Sequence, residues 1–168
     1  AEAPAAEEAA EEEAAAEGVA ELPAAARPEH RGEWVVDRTE GDWDAFLAEN
    51  GMGWIKRKVF AQAEYGKGRI RMVVEQDSDS FNITNIALKT TTMKFRVGGG
   101  QQEATTMEGA PVLLEPSWAE DGKVLACRNW SPNGEELAGR RQYLQGEELL
   151  VDLISPKGVL ARRYYRRV

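Results

Sequence analysis

Residues 70–97 read IRMVVEQDSDSFNITNIALKTTTMKFRV. Three runs rich in Val, Ile, Thr and Phe stand out, Ile70–Gln76, Phe81–Leu88 and Thr91–Val97. The first two are parted by the small polar cluster Asp77-Ser78-Asp79-Ser80. Apolar and β-branched runs bounded by such clusters read as strands and turns. The texture continues to the end of the chain, with strands expected at Glu103–Met107, Val112–Trp118, Lys123–Trp130, Leu137–Leu144, Glu148–Ile154 and Val159–Val168. Gly98-Gly99-Gly100, Glu120-Asp121-Gly122, Ser131-Pro132-Asn133-Gly134, Gln145-Gly146 and Ser155-Pro156-Lys157-Gly158 punctuate them. With a short strand at Glu33–Val36 this makes about ten strands joined by short links. A meander this long closes on itself, because closure removes exposed edges, and a barrel of this size holds one small ligand.

Between the first strand and the meander the period changes. Trp43, Phe46 and Leu47 fall at i, i+3 and i+4, one apolar face of a helix that Asp42 would cap and Gly51 would close. A second short helix is predicted over Trp54–Ala61, with Ile55, Val59 and Phe60 sharing a stripe. Upstream, residues 1–30 form an Ala/Glu-rich stretch broken by Pro4, Gly18, Pro23 and Pro28. It has too few large apolar groups to offset the entropy of ordering, so a disordered tail is expected. A fraying helix over Glu7–Glu17 would be opposed by like charges at i, i+4. Nine glutamates and one arginine lie in residues 1–29, so the whole net charge of −8 belongs to the tail and the remainder is neutral. The overall acidity therefore says nothing about what a folded domain over residues 31–168 would bind.

A first strand, a helix pair and a long meander resemble the intracellular lipid-binding proteins, the fatty-acid-binding and cellular retinoic-acid-binding group. Gly32-Glu33-Trp34 is similar to the family's opening Gly-x-Trp, and Trp43–Leu47 through Gly51–Trp54 and Arg57-Lys58-Val59 to its two-helix segment. Phe81-Asn82-Ile83, Lys89-Thr90-Thr91, Phe95-Arg96-Val97-Gly98 and Pro116-Ser117-Trp118 with Lys123 resemble the retinoic-acid-binding branch. Arg163-Tyr164-Tyr165 reproduces the family's Arg-x-Tyr near the C-terminus. The likeness covers nearly all of residues 32–168, with a small insertion near Ser155-Pro156. It implies an all-β, calycin-like, ten-stranded up-and-down barrel capped by a helix-turn-helix.

Strand alternation puts Arg163 and Tyr165 on one face and Arg162, Tyr164 and Arg166 on the other. The resemblance implies that Arg163 and Tyr165 point inward, joined by Arg141 from a neighbouring strand. Two guanidinium forks and a phenol suit a carboxylate, since Arg pairs with it in bidentate fashion. Arg128, of the same parity as Trp130, is a further candidate for the interior. Trp118 and Trp34 read first as core packing, with Trp118 also a candidate to line the ligand. Leu88 stands where fatty-acid binders place an aromatic at the ligand entrance.

The function implied is non-enzymatic carriage of a fatty acid or retinoid, by a monomer in the cytoplasm, with no cofactor and no nucleic-acid partner. Lys56, Arg57 and Lys58 would meet anionic membranes, each contributing about 1 kcal/mol. The lone Cys127 fits a reducing compartment, and no apolar run is long enough to span a bilayer as a helix. The chain begins at Ala1 without Met, and its acidic start resembles neither a signal nor a transit peptide. Catalytic readings find little support. His30, the only histidine, is expected in the linker, which argues against a Ser-His-Asp triad, and one Cys with one His makes no usual zinc site. An isomerase acting on a bound lipid would have only Tyr165 for proton transfer. The competing reading is an adaptor whose acidic tail recruits a basic partner, with the barrel as scaffold.

Overall fold

The computed structural model describes residues 27–168. Its elements run β1 (Gly32–Gly41), α1 (Trp43–Glu49), α2 (Trp54–Gln62), a 3-10 turn (Glu64–Gly66), β2 (Arg71–Asp77) and β3 (Ser80–Ile86). There follow β4 (Thr90–Arg96), β5 (Gln102–Thr105), β6 (Pro111–Ala119), β7 (Val124–Trp130), β8 (Gly139–Gln145), β9 (Glu148–Ile154) and β10 (Leu160–Arg167). The ten strands form one antiparallel sheet in the order β4-β3-β2-β1-β10-β9-β8-β7-β6-β5. Because β1 pairs with both β2 and β10, the ring is complete except between β4 and β5. There the Gln102 carboxamide takes the place of a ladder, accepting from Arg96 N at 2.8 Å and donating to Arg96 O at 2.7 Å. The fold expected from the meander and the helix pair is the fold observed.

Alternation along each strand builds the core. Trp34, Met72, Val74, Phe81, Ile83, Phe95, Leu114, Leu125, Leu149 and Val151 all point inward and are buried. The first strand, ten residues long, is more than twice the expected Glu33–Val36. Charged Asp37, Arg38 and Glu40 disguise its second half, and a bulge between Val36 and Arg38 lets it continue along β10.

The helix pair covers the end of the barrel where β1 finishes. Asp42 caps α1 by accepting from Ala45 N at 3.0 Å, and Trp43, Phe46 and Leu47 are buried against Ala161 of β10. Glu49 ties this lid to the β9–β10 turn, accepting from the Ser155 hydroxyl at 2.7 Å. The second helix departs from expectation. Phe60 joins the lid cluster, but Trp54, Ile55 and Val59 lie exposed, so the predicted Ile55/Val59/Phe60 stripe is divided between core and solvent.

The opposite end is closed by residues ahead of β1. The tail expected over residues 1–30, with its Glu7–Glu17 helix, lies outside the described residues except for Arg27–His30. Of these, His30 is buried in the barrel's end, Arg27 and Pro28 are half-buried against it, and Glu29 is exposed. Arg27 pairs with Asp79 at 3.0 Å and stands 5.4 Å from the Trp118 ring. The Gln76 carboxamide accepts from His30 N at 2.8 Å and donates to Pro28 O at 3.0 Å. Trp34 Nε1 donates to His30 O at 3.0 Å.

Candidate functional site

The inner face of β10 carries Ala161, Arg163 and Tyr165. Arg163 is 6% exposed and Tyr165 2%. Their neighbours Arg162, Tyr164 and Arg166 face outward, where Arg162 grips Asp152 through Nε at 2.6 Å and Nη2 at 2.9 Å. Arg163 reaches toward the lid. Its Nε and Nη2 each donate to Tyr65 O at a long 3.4 Å, and its guanidinium lies 4.4 Å from the Trp43 ring centre. Trp43 in turn stacks on Tyr65 at 5.4 Å. Burial pushes the Arg163 guanidinium below its ordinary range, and the neighbouring Tyr165 partly opposes that shift.

The second interior arginine is Arg140, not Arg141. In β8 the residues alternate so that Arg140 and Gln142 share the inner face, level with Leu153 and Val151 of β9. Arg141 points out of the barrel and forms an ion pair with Glu120. A strand reverses its side chains at every residue, so an error of one position exchanges inside for outside. Arg140 Nη2 donates to Met72 Sδ at 3.4 Å, while its Nη1 is buried with no hydrogen-bond partner among the described residues. Burial lowers the Arg140 pKa, and the charge of Arg163 lowers it further. Neither Arg140 nor Arg163 pairs with a carboxylate among the described residues. Arginine does not discharge in proteins, so the barrel encloses two positive charges.

The remaining candidates are dispersed. Arg128 lies on the outer face, paired with Glu136 at 3.1 Å and resting 4.9 Å from the Trp130 ring. Leu88 is fully exposed in the β3–β4 turn and cannot line the interior. Trp118 does face inward, at the end closed by Arg27, where its Nε1 donates to Asp79 Oδ1 at 2.8 Å. Within Lys56-Arg57-Lys58, Arg57 is held by Asp44 at 2.9 Å and by Met52 O at 2.7 Å. Two outer concavities, of about 600 and 730 Å³, lie along β2–β4 and over the β4–β5 gap, and neither is lined by Arg140, Arg163 or Tyr165.

Sequence reasoning missed His30, Arg140 and Gln142. His30 is 0% exposed and sits inside the barrel, not in a linker. Its Nδ1 lies 2.9 Å from Gln142 Nε2, and its ring meets Phe81 and Trp118 edge-on at 6.0 and 6.1 Å. Burial, and secondarily the charge of Arg140, hold its pKa down at about 4, so the imidazole is neutral at neutral pH. No residue pattern announced it, because His30 follows a run of Ala and Glu and precedes the first strand. Arg140 and Gln142 were hidden by a strand with polar groups on both faces.

No family model matches the chain. Cellular retinoic acid-binding protein 1 of Bos taurus, and likewise that of Mus musculus, is 32% identical over 98 residues, which span 58% of this chain and 68% of that protein. Among solved structures, human cRBP IV superposes with a TM-score of 0.66 at 18% identity, covering 84% of this chain and 99% of its own. The REP1-NXSQ fatty acid transporter gives 0.65 at 21% identity, covering 82% and 95%. These two likenesses concern the fold alone. With the sequence relationship, the nearly closed ten-stranded meander and its helical lid, the chain belongs to the intracellular lipid-binding protein family.

Proposed function

We propose that the protein is a carrier, not an enzyme, for a hydrophobic carboxylate such as a long-chain fatty acid or a retinoid. The observation that carries this reading is the pair of buried guanidiniums, Arg140 and Arg163, beside Tyr165 and without a carboxylate partner among the described residues. Burying unpaired charge is costly, and a ligand carboxylate would remove that cost while its apolar body enters the core. The surrounding wall suits a pliable chain. Met72, Met93 and Met107 belong to it, and thioether side chains repack readily around different apolar shapes.

Loading from a membrane is part of the same reading. The outer surface of α2 offers Trp54, Ile55 and Val59 with Lys56 and Lys58 beside them, and Lys58 Nζ lies 5.8 Å from the Trp54 ring. Apolar groups flanked by lysines suit an anionic bilayer surface. Arg57, tied to Asp44, contributes less than its neighbours. A monomer working in the cytoplasm fits this role, and no helix among the described residues is long and apolar enough to cross a membrane.

The test is titration of the purified protein with oleate and all-trans-retinoic acid by calorimetry, repeated on three variants. Arg163→Ala and Arg140→Ala are expected to weaken binding by ~2–5 kcal/mol, the cost of removing one partner of a buried charged pair. Arg141→Ala, altering an outward ion pair, is expected to leave affinity within ~0.5 kcal/mol of the parent. Equal loss in Arg141→Ala and Arg140→Ala would overturn the site. Binding of neither ligand would overturn the carrier reading.

A further inference from the structure

Residues 1–26 carry eight glutamates and no cation, which leaves 21 acids against 21 cations in residues 27–168. That neutrality conceals a steep asymmetry. Between Trp54 and Val74 stand Lys56, Arg57, Lys58, Lys67, Arg69 and Arg71 against the single acid Glu64, a net +5, so the rest of the domain is at −5. The fold turns this run outward. Lys56 and Lys58 are exposed on α2. After the 3-10 turn the chain joins β1, Gly68 N donating to Val36 O at 2.7 Å and Val36 N to Ile70 O at 3.0 Å. Ile70 is thereby buried, and Lys67, Arg69 and Arg71 are exposed. Arg71 pairs with Val35, whose other neighbour is Arg166 of β10, so the cationic row continues across the sheet. Asp44 holds Arg57, and Asp37 lies 3.7 Å from Arg166. Lys56, Lys58, Lys67, Arg69 and Arg71 form no ion pair among the described residues.

Five such cations on a neutral domain attract an anionic chain, and one is tethered close by. Arg27 is fixed to Asp79, and Pro28 O accepts from Gln76, near the opposite end of β2 from Arg71. The five residues from Arg71 to Gln76 cover about 17 Å of strand. The densest acids, Glu7, Glu8, Glu11, Glu12 and Glu13, lie 14 to 20 residues ahead of Arg27. Even the shorter of these separations reaches up to ~50 Å when extended, ample for the distance. Tethering makes the encounter intramolecular, at an effective concentration on the order of millimolar. Resting for its membrane half on the loading surface described above, we infer that residues 1–26 dock across Lys67, Arg69 and Arg71 and onto Lys56 and Lys58, screening α2 from anionic membranes until such a membrane displaces them. The acidic segment is then an internal competitor for the surface that lipid headgroups use, and membrane and tail weaken one another by the same factor.

Two measurements test the two halves separately. Zero-length carbodiimide coupling of the full chain joins a carboxylate to a lysine amine in contact with it. Peptide mapping of the monomeric product is expected to find tail glutamates linked to Lys56, Lys58 or Lys67 at low ionic strength and not at about 1 M salt. Links spread equally over Lys89, Lys94, Lys123 and Lys157, or confined to dimers, would overturn the docking. Vesicles of phosphatidylcholine, with and without phosphatidylserine, are then titrated with the parent and with a variant in which Glu7, Glu8, Glu11, Glu12 and Glu13 are each changed to Gln. The variant is expected to bind the phosphatidylserine vesicles about tenfold more tightly than the parent, the worth of one or two cations at that surface, with no gain on phosphatidylcholine alone. In a Lys67→Gln, Arg69→Gln, Arg71→Gln background the same five changes are expected to gain less than about threefold. A full tenfold gain there would trace the effect to net charge alone and overturn the screening, as would equal affinity of parent and variant. Failure of every form to bind would remove membrane loading and the screening together, while the crosslinks judge the docking independently. The thermal midpoint of each variant reports that its barrel is intact.

Discussion

Arg140 and Arg141 are chemically identical and adjacent, and the strand gives them opposite fates. One is sealed beside Met72 and Cys127 with a buried nitrogen unpaired, and the other meets Glu120 at the surface. Arg162 and Arg163 repeat the division on β10, where the outward member holds Asp152 and the inward member leans on Tyr65 O and Trp43. Alternation was legible for β10 because a resemblance anchored its phase at Arg163 and Tyr165. In β8 the resemblance pointed to Arg141, one residue out of phase, and Gly139-Arg140-Arg141-Gln142 has no apolar residue to mark the inner face and correct it. His30 belongs to the same scale and supplies a pH dependence. Its folded pKa of about 4 lies below the ordinary 6.5, so the unfolded chain binds the extra proton first as pH falls. The stability due to the neutral ring is fully present above pH 6.5 and is lost between 6.5 and about 4. The full loss amounts to about 3 kcal/mol. Urea unfolding of the parent and of His30→Gln, at pH 7.0 and 4.5, is expected to show a steeper decline in the parent. Parallel declines would mean that His30 protonates as readily in the folded state as in the unfolded one.

Among the elements, the meander was readable because the strands are short and bounded by turn residues, and several, such as β2, β3 and β4, are rich in β-branched residues. The helix pair was readable from the Trp43, Phe46, Leu47 spacing. The elements that misled are those whose patterning is shared between two demands. In α2, Phe60 serves the lid while Ile55 and Val59 face solvent, so an apolar period was present without a buried face to explain it. The link from α2 to β2 makes a more local demand. Gly66 has φ +97° and is buried, and a Cβ there would overlap Ile70 Cδ1 and stand 2.5 Å from Ile70 Cγ1. Gly66→Ala is expected to destabilise the fold by ~2–3 kcal/mol, combining left-handed strain with overpacking of the core. Gly68→Ala, at φ +71° with open space around the added carbon, is expected to cost only about 1 kcal/mol. Chemical unfolding of both measures the difference, and equal losses would show that Ile70 yields to the added methyl.

The described residues form a ring of strands, open only between β4 and β5, with a seal at each end, one from the helix pair and one from Arg27–His30. Only the native ring offers the buried arginines, so a carboxylate ligand at a hundredfold excess over its Kd is expected to stabilise the protein by about 2.7 kcal/mol, seen as a raised unfolding midpoint. Deletion of residues 1–26 is expected to leave that affinity unchanged. Deletion of residues 1–30 is expected to lower stability and to expose Trp118, because the Arg27–Asp79 pair and the Gln76 clamp go with it. Intact stability after the longer deletion would show that the seal contributes nothing. Loss of ligand with the shorter one would point to the acidic tail as part of the site.

The all-β class, the meander, the helix pair and the near-closure of the ring were already encoded in the sequence, because these follow from local periodicity and from the gain in pairing sheet edges, which only the β4–β5 gap forgoes. The sequence also marked Arg163 and Tyr165 as members of one face. Which of two adjacent arginines is enclosed, that Leu88 and Arg128 stay outside, and that the one histidine fills the end of the barrel were settled by tertiary contacts. Those outcomes depend on the registers that join β7, β8 and β9 and on a segment folding back across the barrel's open end. They are contacts between residues distant in the chain, and no local pattern encodes them.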